Sequence, residues 1–264
     1  MRAKNRTATV LALGLLALLA RPALASEDAA AGRAILENHR AAVVTVQMVV
    51  KISSSFGGST NENESKEEAT GTVISPDGLT VLALSSTDPS SIYKTMMGGG
   101  QDFRMDSQIN DLKMLMHDNT EIPAEVVIRD VELDLAFIRP LKKPEAPMAH
   151  VSLEENGEVQ LLDRVVTLNR LGRVANRVFS ASFEYIDAVV ERPRRYYIPG
   201  NDPTSTTQGS PVFRLDGKLV GVFVLRAISA EASAGARRNN VMPIILPAAD
   251  VLEGVQQVPP YPEN

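Results

Sequence analysis

The chain has 264 residues, of which 44% are hydrophobic and 22% charged, and this composition is that of an ordinary globular protein. It has no cysteine and only three, widely separated histidines (His39, His117 and His150), so we expect no disulfide, no cysteine nucleophile, no metal site and no cofactor. The formal net charge of −5 argues against a broad basic surface for nucleic acid.

The N-terminal segment has the three-part pattern of a secretory signal peptide. Arg2, Lys4 and Arg6 precede an apolar run over 10–20, and residues 23–25 (ALA) form a small-x-small cleavage site. A membrane anchor is the alternative, but the apolar run is shorter than the about 20 residues that a helix needs to span a bilayer. We therefore predict a signal peptide over 1–25, no stable membrane span, and an exported protein that is periplasmic or secreted.

The first half of the remaining chain is predicted to consist mainly of short strands, after a short helix over 27–40. Alternating and β-branched residues favour strands, which we place at 41–52, 70–75, 79–84, 112–116, 122–128 and 133–138. Two polar, glycine-containing stretches are predicted to be long loops, at 53–69 and at 85–111, the second with a short helix near 92–97.

The second half repeats this character after a Pro- and Lys-containing linker at 140–147, which marks a seam near 140–150. Its predicted strands lie at 165–168, 178–190, 210–214, 218–225 and 241–246. A short helix over 248–257 and a Pro-rich tail over 258–264 end the chain. Many short strands with regular turn signals indicate an all-β fold, either one large domain or two small barrels.

Three segments carry a family resemblance, in the same order and with similar spacing as in the family. They are residues 71–82 (GTVISPDGLTVL), residues 130–138 (DVELDLAFI) and residues 209–222 (GSPVFRLDGKLVGV). The sequence resembles trypsin-like serine proteases of the bacterial HtrA-type branch over about 41–257. The resemblance implies two six-stranded antiparallel β-barrels within 26–257, with a catalytic cleft between them, but does not by itself imply activity.

The resemblance also locates the catalytic positions, and two of them carry the wrong chemistry. Counting along the motifs puts Ser85 at the position of the catalytic histidine, Gln208 at the position of the serine nucleophile, and Asp134 at the position of the acid. A hydroxyl cannot act as a base near neutral pH, and a carboxamide is a very poor nucleophile. Thr206 stands where the family has a glycine that helps to shape the oxyanion site.

Several other residues are candidates for binding or chemistry. Ser210 is a conceivable nucleophile, although Pro211 aligns it with a family glycine rather than with the serine. Asp134 without a histidine is expected to hydrogen-bond to backbone or to Ser85. A basic and aromatic cluster at 191–199 either contacts a partner or is a solvated loop whose arginines pair with local acids. The candidate binding residues are Arg194, Arg195, Tyr196, Gln208, Gly209 and Ser210.

These observations predict a trypsin-like protease homologue that lacks catalytic activity and binds a protein or peptide segment in the old cleft by strand addition. One alternative is an active serine endopeptidase with an unusual catalytic set. Another is a structural or envelope-associated protein whose long loops make the contacts. The ligand and the oligomeric state stay open at this stage.

Overall fold

A computed structural model describes residues 23–97, 103–200, 207–227 and 241–261. Its strands form two closed six-stranded antiparallel barrels, which confirms the predicted fold class. The strand order is β1-β2-β3-β6-β5-β4 in the first barrel and β10-β11-β12-β9-β8-β7 in the second. Among the helices of the described residues, none combines the length and apolarity that crossing a bilayer requires. The predicted signal peptide lies almost wholly outside the described residues and stays a prediction.

The first barrel and the helices around it occupy the chain up to Pro140. Its elements are α1 (Ala23–His39), β1 (Val43–Phe56), β2 (Ser59–Val73), β3 (Thr80–Ala83), α2 (Leu84–Thr87), α3 (Pro89–Met97), β4 (Phe103–Leu115), β5 (Glu121–Asp130) and β6 (Leu135–Pro140). β3 and β6 are buried along their whole length, as expected for short apolar strands enclosed on both faces.

The second barrel begins after an irregular connection over 141–163. Its elements are β7 (Arg164–Arg170), β8 (Phe179–Val190), β9 (Tyr196–Pro199), β10 (Pro211–Arg214), β11 (Leu219–Ala227), β12 (Val241–Pro247) and the C-terminal α4 (Ala248–Val255). Its interior is built around side chains such as Tyr197, Phe223 and Ile245. A larger apolar cluster fills the first barrel and continues into the contact between the barrels.

Two predicted loops are wrong, because polar composition was taken as a sign of irregular structure. The 53–69 stretch is a β-ribbon in which β1 and β2 pair from Val43 opposite Thr72 to Phe56 opposite Ser59. Gly57 and Gly58, both with positive φ, form its turn. Beyond the barrel this ribbon is solvated, so its strands need no apolar residues. Likewise, the described part of 85–111 contains α2, α3 and the first part of β4 rather than a long loop, and α3 confirms the short helix predicted near 92–97.

The barrels are joined by a buried guanidinium. Arg170, at the end of β7 and only 4% exposed, donates hydrogen bonds to the carbonyl oxygens of Leu115 and Met116 in the first barrel at 2.7 and 2.8 Å. It also donates to Asn119 Oδ1 at 3.2 Å. One arginine of the second barrel thus donates to two adjacent carbonyl groups at the end of β4 and so connects the two barrels.

The two ends of the described chain cross over to the opposite barrel. α1 precedes the first barrel but packs on the second, where Asp28 forms an ion pair with Arg164 and Gly32 lies against the ring of Phe183. The tail after α4 returns to the first barrel. There, Arg139 donates to the carbonyl oxygens of residues 259 and 260, both at 3.0 Å, and stacks on the ring of Tyr261. The helix that precedes the first barrel thus packs on the second, and the segment that follows the second barrel packs on the first.

Candidate active-site cleft

A buried carboxylate stands at the contact between the barrels. Asp134 is 5% exposed and lies in the turn before β6 with a positive φ of 57°. Its Oδ1 accepts the backbone N–H of Ser85 at 2.7 Å, and its Oδ2 accepts the backbone N–H of Leu225 at 2.8 Å and the Ser85 hydroxyl at 2.9 Å. Both barrels therefore supply donors to this carboxylate, as the hypothesis of backbone and Ser85 partners requires.

The structure brings the three sequence-predicted catalytic positions together, with Ser85 in contact with both Asp134 and Gln208. Ser85, in the first turn of α2, has its Oγ 3.3 Å from Gln208 Oε1. The Ser86 hydroxyl donates to the same Gln208 oxygen at 3.0 Å. A serine hydroxyl thus lies between a carboxylate and a carboxamide, and the Gln208 side chain of the second barrel contacts two serines of the first.

No imidazole takes part in this arrangement. All three histidines of the sequence lie within the described residues. His39 stacks on Phe213 with a distance of 4.6 Å between the ring centroids. His150 Nδ1 is 3.0 Å from the carbonyl oxygen of Met148, and His117 is exposed in the turn between β4 and β5. A general base of the usual kind is therefore absent from the cleft.

Ser210, the alternative nucleophile, is buried. It is 0% exposed, and its Oγ has no hydrogen-bond partner among residues 23–97, 103–200, 207–227 and 241–261. Its backbone N–H donates to the carbonyl oxygen of Thr207 at 3.0 Å. A nucleophile needs an adjacent base and access to the substrate, and within the described part of the chain this hydroxyl has neither. Thr206, whose side chain was predicted to disturb the oxyanion loop, lies outside the described residues.

Gly209 is where the loop that carries Gln208 touches the first barrel. Its φ is +85°, and a Cβ built on it would lie 2.1 Å from the carbonyl oxygen of Thr70. Its own carbonyl oxygen accepts the Thr72 hydroxyl at 2.8 Å. The absence of a side chain at this position thus allows two backbones to approach closely and fixes the place of Gln208.

Burial raises the pKa of Asp134 from its ordinary value of 3.8 to about 6, although the hydrogen bonds from Leu225 and Ser85 favour the charged form. The native state therefore keeps this proton to a higher pH than the unfolded chain. The stability that Asp134 contributes is fully present below pH 3.8 and is lost as the pH rises through about 6.

We expect the free energy of unfolding of the parent, relative to Asp134→Asn, to fall by about 3 kcal/mol between pH 3.5 and pH 7.5. Urea unfolding of both proteins at the two pH values measures this difference, because the asparagine has no proton to lose. A difference that is the same at both pH values would mean that the carboxyl group of Asp134 has an ordinary pKa.

The members of the predicted basic and aromatic cluster at 191–199 have different surroundings in the structure. Arg194 forms an ion pair with Asp250 on α4, and Arg195 pairs with Glu158 at 2.7 Å. Both guanidinium groups are thus engaged by acids of the same chain, which is the alternative that the sequence left open. The cluster is also not simply a loop, because it includes β9, which the sequence analysis missed. Tyr196 begins that strand and is half-buried.

Sequence reasoning missed two members of the site. Ser86 has no family motif of its own and was found only through its contact with Gln208. The Leu225 backbone N–H belongs to a strand that was predicted, but nothing in the sequence indicates that this amide faces Asp134. Both contacts join segments far apart in the chain, and a single sequence has no signal for them.

Comparison with known protein families and solved structures agrees with this architecture. A family model of the trypsin-like peptidase domain matches residues 69–222, which is more than half of the chain. The chain therefore belongs to the trypsin-like peptidase domain family. Among solved structures it is similar to the MamO protease domain from Magnetospirillum magneticum in its apo form, at 13% sequence identity and a TM-score of 0.50. That match covers 82% of this chain and 97% of the other, and at this identity it shows the fold alone. A search of curated proteins finds no match.

Proposed function

We propose that this protein is an exported, HtrA-type member of its family that lacks proteolytic activity and binds extended protein segments in the cleft. The observation that carries the proposal is the Ser85 hydroxyl between the Asp134 carboxylate and the Gln208 carboxamide. In a serine protease the group at the middle position must take a proton from the nucleophile, and a hydroxyl has no suitable basicity. Loss of either the serine or the histidine alone costs about a million-fold in kcat in a protease that uses the same mechanism on another fold.

Strand addition is supported by an edge of β11 beside the same residues that no described strand covers beyond Val222. β11 pairs with β10 only as far as Val222 opposite Pro211, whereas it continues along β12 to Ala227. The N–H groups of Phe223 and Leu225 both point away from β12, towards Ser210 and Asp134 respectively. Because main-chain groups alternate along a strand, the N–H and C=O of Ala227 point to that same side. An extended peptide can pair there without any catalytic group.

The chemical part of the proposal is tested with the purified chain and two probes. We expect no cleavage of unfolded β-casein and no labelling by a serine-reactive fluorophosphonate, with trypsin as the positive control. Labelling or cleavage that disappears in Ser210→Ala would establish an unusual nucleophile. The active endopeptidase would then replace the present proposal.

The binding part is tested at the free edge of β11. Ala227→Pro removes an N–H that faces the open side and leaves the described pairing of β11 with β12 in place. We expect fluorescently labelled β-casein to bind the parent and to bind this variant about tenfold more weakly, which corresponds to one lost hydrogen bond. Thermal unfolding serves as the control for folding. Equal affinity of parent and variant would place casein binding elsewhere or exclude strand addition.

A further inference from the structure

A second guanidinium lies beside the proposed binding edge, and it comes from a part of the chain that the sequence analysis did not flag. Arg226 follows Leu225 on β11 and is half-buried. Its guanidinium carbon lies 5.1 Å from the centroid of the Tyr196 ring, which belongs to β9. Stacking on an aromatic face restricts the position of a guanidinium while its N–H groups stay available at the edges of the plane.

Arg226 differs from its neighbours in having no acid partner within the described part of the chain. Arg194 pairs with Asp250 and Glu253, and Arg195 pairs with Glu158 and Glu191. No described carboxylate lies within 4.0 Å of Arg226. The guanidinium of Arg226 therefore stacks on the Tyr196 ring. None of its five N–H donors pairs with a carboxylate of the described residues.

The strand geometry places this charge next to a bound segment. A peptide that pairs with Ala227 on the open side of β11 runs alongside Arg226 in the same sheet. Side chains of adjacent strands that lie on the same face have Cβ atoms about 4.5–5.5 Å apart when they are directly opposite. Every second residue of the peptide shares the face of Arg226, so the peptide side chain opposite Arg226 lies on the same face of the sheet as the guanidinium.

We infer that the segment bound along β11 carries a glutamate or aspartate whose carboxylate pairs with Arg226 on its Tyr196 support, so that this cleft selects extended acidic segments. This inference rests on the proposed function. The chain as a whole has a formal net charge of −5, which does not attract acidic peptides in general. The selectivity therefore has to be local, confined to one position of the peptide, and weakly dependent on salt compared with attraction to a basic surface.

The test uses three matched panels of end-blocked ten-residue peptides of alternating Thr and Ser, labelled with a fluorophore. Each panel places Glu, Gln or Lys in turn at successive positions, and binding is followed by fluorescence anisotropy. For the parent protein we expect one position at which Glu binds about tenfold more tightly than Gln, in the range of a hydrogen bond to a charged group, and at which Lys binds more weakly than Gln.

Two variants assign the preference to its residue. Arg226→Gln is expected to remove the difference between Glu and Gln. Arg214→Gln, which removes the same charge from an arginine that pairs with Asp216, is expected to keep it. Tyr196→Leu is expected to reduce the preference by loosening the guanidinium. A Glu preference that survives Arg226→Gln would overturn the inference, as would loss of the preference in Arg214→Gln alone.

The outcomes separate the inference from the function on which it rests. Equal binding of the Glu, Gln and Lys panels, with all of them weakened by Ala227→Pro, would overturn the acidic selectivity and leave strand addition in place. Absence of binding by every panel and by β-casein would overturn both.

Discussion

Replacing Gly209 by alanine should lower the free energy of unfolding by about 3–5 kcal/mol, which is large for one methyl group. The added Cβ would lie 2.1 Å from the carbonyl oxygen of Thr70, so one of the two backbones has to move. A left-handed φ of +85° adds strain that a residue with a side chain tolerates poorly. Urea unfolding followed by far-UV circular dichroism measures the change.

The chain offers a matched control in Gly217. Its φ of +86° is nearly the same, but a Cβ there meets nothing within 4 Å. Gly217→Ala should therefore cost only the conformational part, about 1 kcal/mol. The difference between the two variants isolates the close approach of the Gln208 loop to β2. If both variants lose the same stability, this approach is not tight in solution.

Replacing Arg170 by methionine should cost about 3–5 kcal/mol. The methionine keeps much of the side-chain volume but removes the donors to Leu115 and Met116, whose carbonyl oxygens then lose the buried partner that Arg170 provides. Because these bonds join the barrels, we expect the unfolding transition to be less cooperative and its midpoint temperature to be lower. Differential scanning calorimetry of parent and variant measures both quantities.

Arg173→Met is the matched control for this prediction. Arg173 also bridges the barrels, through Glu68 at 3.0 Å, but its side chain is 60% exposed. A solvated ion pair contributes about 0–1 kcal/mol, so this variant should unfold close to the parent. A small effect in both variants would mean that water replaces the Arg170 hydrogen bonds without cost.

The barrels could be predicted from the sequence because their strands carry local signals. Residues 135–138 and 219–225 are apolar and include β-branched or aromatic side chains, and Pro76-Asp77-Gly78 and Asp216-Gly217 are turn sequences. The family motifs fixed the spacing between them. Counting along those motifs was sufficient to select Ser85, Asp134 and Gln208, which the structure brings into hydrogen-bonding contact.

The remaining features depend on contacts for which one sequence holds no signal. The β1–β2 ribbon looked like a loop because both of its faces meet water, so neither periodicity nor hydrophobicity marks its strands. The arginines next to Tyr196 in sequence pair with acids, whereas the arginine that stacks on its ring comes from β11. Ser86 entered the site for the same reason, through folding rather than through spacing.

The exchange of termini between the barrels has a consequence for what happens when the chain is cut. A break in the connection over 141–163 would not release two pieces. The contact of α1 with the second barrel and that of Tyr261 with the first would remain. The two fragments of the nicked protein would stay associated in solution. Either half produced alone would instead expose to water the surface that its missing partner's terminus normally covers.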